Sequence, residues 1–332
     1  MRSLILLLLA TLPALALPAG DPLSAAGQVA EMKRGVNIVG YDPIWQDPAK
    51  ARFQPRHFKI IKDGGFDTVR INLYGFRQMD EKGVLNPAWF ATLDGLVNAA
   101  VKQDLNVILD MHDYERCFED VQRCRTQVLT FWEQVAAHYQ GAPGNVIFEI
   151  LNEPNRAMND HWNALLVEAL AVIRKTNPTR NVLIGPAFWN NISWLPKLEL
   201  PASDRHIIVS VHYYEPHRFT HQGATWGDAE WRKLSGIRWG SAADHAKLNS
   251  DFDAAQQWAK RHDRPLFLGE FGAYDKAPLE DRVKYTAAVA RAAEKRGWAW
   301  TYWQFDSNFI VYDIDKDRWN EPIYRALVPA SR

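Results

Sequence analysis

Two acidic residues, Glu153 and Glu270, each follow an apolar run. The first run is Val146-Ile147-Phe148-Glu149-Ile150-Leu151-Asn152-Glu153-Pro154, and the second is Pro265-Leu266-Phe267-Leu268-Gly269-Glu270-Phe271-Gly272. Short apolar runs of this kind read as strands buried on both faces. A carboxyl group delivered to such a place needs a partner or a task. Glu149 reads as the partner of a basic residue inside the fold, and each of the other two, alone, could be a salt-bridged structural Glu. If both strand ends open on one cleft, the pair can cleave a glycosidic bond. One carboxyl protonates the leaving oxygen, and the other attacks the anomeric carbon or activates water to do so. A separation of ~5 Å implies retention of configuration, and ~6.5–9.5 Å implies inversion.

Other residues have types that fit the same cleft. Arg70, in Thr68-Val69-Arg70-Ile71-Asn72, can keep an attacking carboxylate ionised through charge-assisted hydrogen bonds. Asn152 can bond a sugar 2-hydroxyl. His212 and Tyr214 are two apart, so a strand points both the same way, and a Tyr214 hydroxyl beside Glu270 can orient it. Trp303 can floor a sugar ring, while His112 reads equally as a core histidine or a site residue. The chain has 14 Trp beside 11 Tyr and 15 Phe. Flat rings suit sugar faces as well as cores, and Trp45, Trp189 and Trp226 are the candidates for sugar stacking further out.

The elements that must position these residues are legible as alternating runs. Strands are expected at Lys33–Val39, Phe66–Tyr74, Asn106–His112, Asn145–Asn152, Asn181–Ala187, His206–Tyr214, Pro265–Glu270 and Trp298–Phe305. Helices are expected at Pro87–Lys102, Asp160–Thr176, Ser241–His262 and Leu279–Arg296. Eight strands alternating with helices predict a single-domain (β/α)8 TIM barrel over residues 32–332, with a doubly wound open sheet as the alternative. Chemistry in such a barrel sits at the carboxyl ends of the strands, where Arg70, His112, Asn152, Glu153, His212, Tyr214, Glu270 and Trp303 all fall.

Lys plus Arg equals Asp plus Glu at 39 each, so the basic excess of a nucleic-acid binder is missing. Arg2, an apolar run to Leu12 and Ala14-Leu15-Ala16 read as a signal peptide over residues 1–16, followed by a short spacer over 17–31. The run is too short to span a bilayer, so the mature chain is expected to be periplasmic or extracellular and off the membrane. Cys117 and Cys124, the only two cysteines, are then expected to form a local disulfide. No metal or other cofactor is expected, and a monomer is.

The motifs Val69-Arg70-Ile71-Asn72, Leu109-Asp110-Met111-His112, Asn152-Glu153-Pro154, His212-Tyr213-Tyr214, Gly269-Glu270-Phe271-Gly272 and Tyr302-Trp303 occur in order on the expected strands. Together they resemble glycoside hydrolase family 5, the cellulases, mannanases and related β-glycanases. The resemblance implies retaining double displacement, with Glu153 as acid/base, Glu270 as nucleophile and the six other residues as their immediate partners. The run Phe219–Trp226 and the segment Tyr302-Trp303-Gln304-Phe305 leading to Tyr312-Asp313 resemble bacterial endo-β-1,4-glucanases of that family. Asp113 stands where many relatives carry a second His or an aromatic. The expected substrate is a β-glucan polysaccharide or oligosaccharide. The alternatives are a β-mannanase, a mixed-linkage or β-1,3-glucanase, a non-catalytic glycan-binding barrel, and a metal-dependent hydrolase built on His112, Asp113 and Glu270.

Overall fold

Alternation along each strand decides what lines the interior. Val69 and Ile71 pack outward under the helices, so Thr68, Arg70 and Asn72 face inward. The same parity puts Ile108, Asp110 and His112 inside on the third strand, and Ile147 and Glu149 inside on the fourth. The computed structural model describes residues 23–113 and 117–330. Eight parallel strands close into a barrel: β1 (Arg34–Ile38), β2 (Thr68–Leu73), β3 (Asn106–Met111), β4 (Val146–Glu149), β5 (Val182–Ile184), β6 (Ile207–Tyr213), β7 (Leu266–Phe271) and β8 (Ala299–Tyr302). β1 pairs with both β2 and β8, which excludes the open sheet.

The expected strands all form. Several end earlier than expected, most clearly β4, β5 and β8, because the backbone leaves the ladder near the mouth and turns into the site. The helices of seven or more residues are α1 (Ala25–Met32), α2 (Arg56–Asp63), α3 (Pro87–Val101), α4 (Val121–His138), α5 (Trp162–Arg174), α6 (Ala242–His262), α7 (Leu279–Lys295) and α8 (Glu321–Leu327). α3 begins with Pro87 after Asn86, whose side chain accepts from the Ala88 amide. Ser241 and Asp244 form a reciprocal capping box at the start of α6. Cys117 precedes α4, which Asp120 caps, and Cys124 lies in the first turn of that helix. Cys117 and Cys124 form a disulfide with a Cα–Cα distance of 4.8 Å.

The signal peptide expected over residues 1–16 lies outside the described residues. The spacer reading of 17–31 needs correction where it is described: Ala25–Met32 is a helix, capped by Ser24. Its Ala25, Val29 and Met32 pack on Ile108, Ile147, Leu183, Ile208, Phe267 and Ala299, the innermost apolar ends of six strands. Gln28 Nε2 bonds Asn106 Oδ1 at 2.9 Å beneath them. α1 therefore closes the barrel floor and keeps water from reaching the polar layer above from below. Met32 is fully buried in that floor. Met32→Ala is expected to cost about 2–5 kcal/mol, read as a lower urea midpoint, with little change in the chemistry at the opposite end.

Candidate active site

Directly above the apolar floor lies one fully buried cation. Arg70 is inaccessible to solvent, and all three of its guanidinium nitrogens are engaged. Nε donates to Glu149 Oε2 at 2.6 Å, and Nη1 to Asn37 Oδ1 and Glu270 Oε1, both at 2.8 Å. Nη2 donates to Asn152 Oδ1 at 2.8 Å and sits 3.1 Å from Asp110 Oδ1. Burial disfavours the Arg70 charge, but Asp110, Glu149 and Glu270 prevail and raise its pKa. Glu149 is pushed up to about 7, first by burial and then by Asp110 and Glu270, against the pull of Arg70. Asp110 remains low despite burial, because Arg70 and His112 surround it. His112 Nδ1 lies 2.6 Å from Asp110 Oδ2; burial works against its charge, but Asp110 raises it.

Glu270 reaches this cluster through a register shift. Val211 pairs with Leu268, but His212 pairs with Glu270, leaving Gly269 as an extra residue in β7. Phe267 faces the interior, so unbroken alternation would send Glu270 outward with Leu268. The bulge turns it inward. There Tyr214 Oη donates to Glu270 Oε2 at 2.9 Å while Arg70 holds Oε1. Burial above all, then Glu270 and Glu153, raise the Tyr214 hydroxyl well above its ordinary pKa, so it stays a donor.

Glu153 lies past the end of β4 in a left-handed conformation, φ 43°. Such a conformation is uncommon for a non-glycine residue. Its Oε1 is 2.8 Å from His212 Nδ1. Burial pushes the Glu153 carboxyl up to about 7, with His112, Arg70 and His217 opposing. Burial also lowers His212 to about 4, so this ring is neutral at neutral pH. One carboxylate oxygen each from Glu153 and Glu270 and one ring nitrogen of His212 lie within 4.8 Å of one another. Among the described residues this is the one His/carboxylate group close enough to converge on a metal ion. The trio His112, Asp113 and Glu270 does not converge. Asp113 instead accepts from the Arg77 amide at 3.0 Å and from Arg77 Nε at 2.8 Å.

The structure thus gathers Arg70, Asn152, Glu153, His212, Tyr214 and Glu270 in one network. Trp303 directly follows β8, with its ring stacked on His112, centroids 5.4 Å apart and 10° between planes. Trp189 and Trp226 are exposed at the rim, 38% and 36%. The Trp189 amide donates to Pro154 O, next to Glu153, and Trp226 packs edge-on against Tyr274. Trp45 is a correction. Asp42 caps a 3-10 turn that drives it inward, where Nε1 donates to Asn72 O and the ring packs on Trp89. Tyr41, on the same loop, is 62% exposed and lies edge-on to Trp303 at 6.0 Å.

Sequence reasoning missed Asn37, Asp110 and Asn190, which hold the network from behind. Asp110 stood inside a quoted motif, and its parity with His112 was the available signal. Asn37 Nδ2 bonds Gly269 O at 3.0 Å, pinning the bulge. Asn190 Nδ2 lies 3.3 Å from His212 Nε2.

Residues 29–309 match the family model described as cellulase, glycosyl hydrolase family 5. The chain is 27% identical over 313 residues to endoglucanase H of Acetivibrio thermocellus, covering 90% of this chain and 33% of that protein. It is 27% identical to endoglucanase 3 of Fibrobacter succinogenes, covering 86% of this chain and 51% of that one. It therefore spans about a third and about half of these relatives' lengths. Among solved structures, it matches Thermotoga maritima Cel5A in complex with a mannotriose substrate at TM-score 0.87 and 36% identity, covering 92% of this chain and all of that one. It matches the cellulose synthase subunit Z of Clostridioides difficile at TM-score 0.84 and 34% identity, covering 90% and 99%.

The bulge generates a prediction. A Cβ on Gly269 would lie 2.7 Å from Ser210 Oγ and 2.8 Å from His212 Nε2. Gly269→Ala should displace His212, lowering kcat by about a hundredfold or more, while overpacking costs about 1–3 kcal/mol of stability. Steady-state kinetics beside a thermal melt checks both.

Proposed function

The chain belongs to the cellulase family, glycosyl hydrolase family 5, and we propose that it cleaves internal β-1,4-glucosidic bonds of cellulose-type β-glucans with retention of configuration. The single observation that carries this reading is the short gap between two carboxylates in unlike surroundings. Their nearest oxygens fall within 4.8 Å, on the side of the ~5–5.5 Å expected for retention rather than the wider gap that admits water for inversion. Glu270 sits in ion-pair contact with Arg70 and accepts from Tyr214, as a nucleophile should. Glu153 has a carboxyl pushed up to about 7, as an acid at neutral pH should.

In the first step the Glu270 carboxylate forms a bond to the anomeric carbon. The glycosidic C–O bond breaks, its electron pair goes to the leaving oxygen, and the Glu153 proton follows it there. In the second step Glu153 takes a proton from water, the oxygen attacks the anomeric carbon, and the bond to Glu270 breaks. Asn152, held by Arg70, can meet the sugar 2-hydroxyl. Trp303 is the inner sugar platform, and Trp189 and Trp226 are platforms farther out.

β-Glucan follows from the relatives named as endoglucanases. The mannotriose complex of Thermotoga maritima Cel5A favours mannan as a second reading. A binding-only barrel would have no use for the opposed carboxylates. Export is part of the proposal: the Cys117–Cys124 disulfide suits an oxidising compartment.

Glu270→Gln and Glu153→Gln should each lower kcat on carboxymethyl cellulose by about a thousandfold or more, with folds intact by circular dichroism. Full activity in either variant would sink the assignment. Glu153 must carry its proton to act as the acid. The wild-type kcat/KM should therefore fall as pH rises through about 7; a profile flat to pH 9 contradicts it. Sizing products from cello- and manno-oligosaccharides decides between the two substrates.

A further inference from the structure

Behind His212, on the side away from Glu153, the backbone does something costly. Phe188, Trp189 and Asn190 are three consecutive non-glycine residues in the left-handed region, φ 59°, 61° and 53°. L-residues visit it singly and at a penalty. The surroundings fix this turn. The Phe188 amide donates to Asn159 Oδ1 at 3.0 Å, and Asn191 forms a parallel bridge with His212. Its outcome is an Asn190 side chain that is fully buried, with Nδ2 3.3 Å from His212 Nε2. Gly185 leaves the space for it: a Cβ there would lie 2.4 Å from Asn190 Cγ.

The two ring nitrogens of His212 therefore have one partner each at hydrogen-bond distance, Glu153 Oε1 at 2.8 Å on Nδ1 and Asn190 on Nε2. Glu153 alternates between acid and carboxylate in the proposed cycle. With the hydrogen on Nδ1, His212 donates to Oε1 in both states. When Glu153 is protonated, that bond leaves its proton on the other oxygen. With the hydrogen on Nε2, the Nδ1 lone pair would face Oε1. It would repel the carboxylate, and in the acid state it would draw the proton to Oε1, away from the leaving group. An ionised Glu153 favours the first tautomer by itself; a donor on Nε2 favours it in both states of Glu153, the acid included. Ser210 Oγ, also buried nearby, has no hydrogen-bond partner.

We propose that Asn190 is a positioning residue: by donating to His212 Nε2 it holds the Nδ1–H tautomer and so keeps the Glu153 proton on the oxygen that faces the glycosidic oxygen. This rests on the reading of Glu153 as acid/base. His212 does not change protonation state in either step. The charged and titratable groups that face it are Glu153 from the end of β4, Glu270 from β7 at 3.7 Å, Arg70 from β2, and Asp110 and His112 from β3. Tyr214, with its Oη on Glu270, completes the set.

The test compares cellotetraose, whose leaving group needs an acid, with 2,4-dinitrophenyl β-cellobioside, whose does not. Asn190→Ala should lower kcat/KM about 10- to 100-fold on cellotetraose and less than about threefold on the aryl glycoside. Asn190→Asp accepts from Nε2, promotes a His212 cation beside Glu153, and should move the basic limb of kcat/KM down by about one pH unit. Nitrogen-15 NMR of the wild-type protein, with the ring assigned by its loss in His212→Gln, should show Nδ1 protonated and Nε2 bare. That measurement stands even if a variant fails to fold. An Nε2–H ring overturns the proposal. So does a wild-type substrate ratio with an unmoved basic limb, or an equal loss on both substrates that tracks a lowered Tm. Glu153→Gln is run alongside. If it too keeps the wild-type ratio, the acid/base assignment fails; if it discriminates and Asn190→Ala does not, only the role of Asn190 fails.

Discussion

Everything at the mouth of the barrel depends on how Arg70 is satisfied. A guanidinium out of reach of water must find partners for its whole fork of N–H donors or carry a heavy penalty. Here Glu149, Asp110, Glu270, Asn37 and Asn152 supply them. The partners come from strands spread around the barrel, so Arg70 ties together β1, β2, β3, β4 and β7 in one buried layer. This layer has more carboxylates than cations, and the imbalance is absorbed within it. Glu149 is pushed up toward neutrality by burial, and His112 is drawn toward its charged form by Asp110. Glu270 thus gains a fixed cation and a hydroxyl donor without being exposed. Removing Arg70 would orphan several buried carboxylates together.

The two glutamates differ because the backbone delivers them differently. Glu270 arrives through a bulge at Gly269 that Asn37 pins, and lands on Arg70. Glu153 arrives through a left-handed turn after β4 and lands on a neutral histidine. A charged partner favours the carboxylate, while burial beside a neutral ring favours the acid. The same residue type therefore meets a buried cation in one place and a neutral ring in the other, a division that suits the proposed two-step displacement. The apolar floor under Met32 keeps the effective dielectric low, so the asymmetry is not washed out by water from that side.

Much of this was legible from residue order. The eight strands and the principal helices followed from apolar runs and caps, and the polar residues at strand ends named most of the network. What escaped did so for physical reasons. Gly269 stood inside a quoted motif, but its main effect is on parity, and a bulge leaves no trace in an apolar run. α1 looked like a spacer because its few apolar residues show no long periodicity; they gain meaning only against six strands distant in sequence. Trp45 looked like a rim residue, yet a cap on Asp42 decides where its loop turns. Asn190 sits in a run with no helical or strand pattern, and its conformation is dictated by contacts to Asn159, Pro154 and His212.

Under the proposed function, chemistry and substrate choice occupy different parts of this barrel. The charged network uses inward positions of strands, held by parity and the hydrogen-bonded ladder. The exposed rings, Tyr41, Trp189 and Trp226, and the Asp113–Arg77 pair belong to the loops beyond the strand ends. A loop ring can be exchanged without disturbing the partners of Arg70, so sugar preference can change while the reaction stays the same. A glucan and a mannan differ at one hydroxyl next to the anomeric carbon, close to Asn152, whose Oδ1 is already committed to Arg70. In the proposed reaction Asn152 is left with its amide nitrogen to offer the sugar, a donor that can serve either hydroxyl orientation. Under the proposed function, discrimination between the two then falls to the exposed rim rings Tyr41, Trp189 and Trp226.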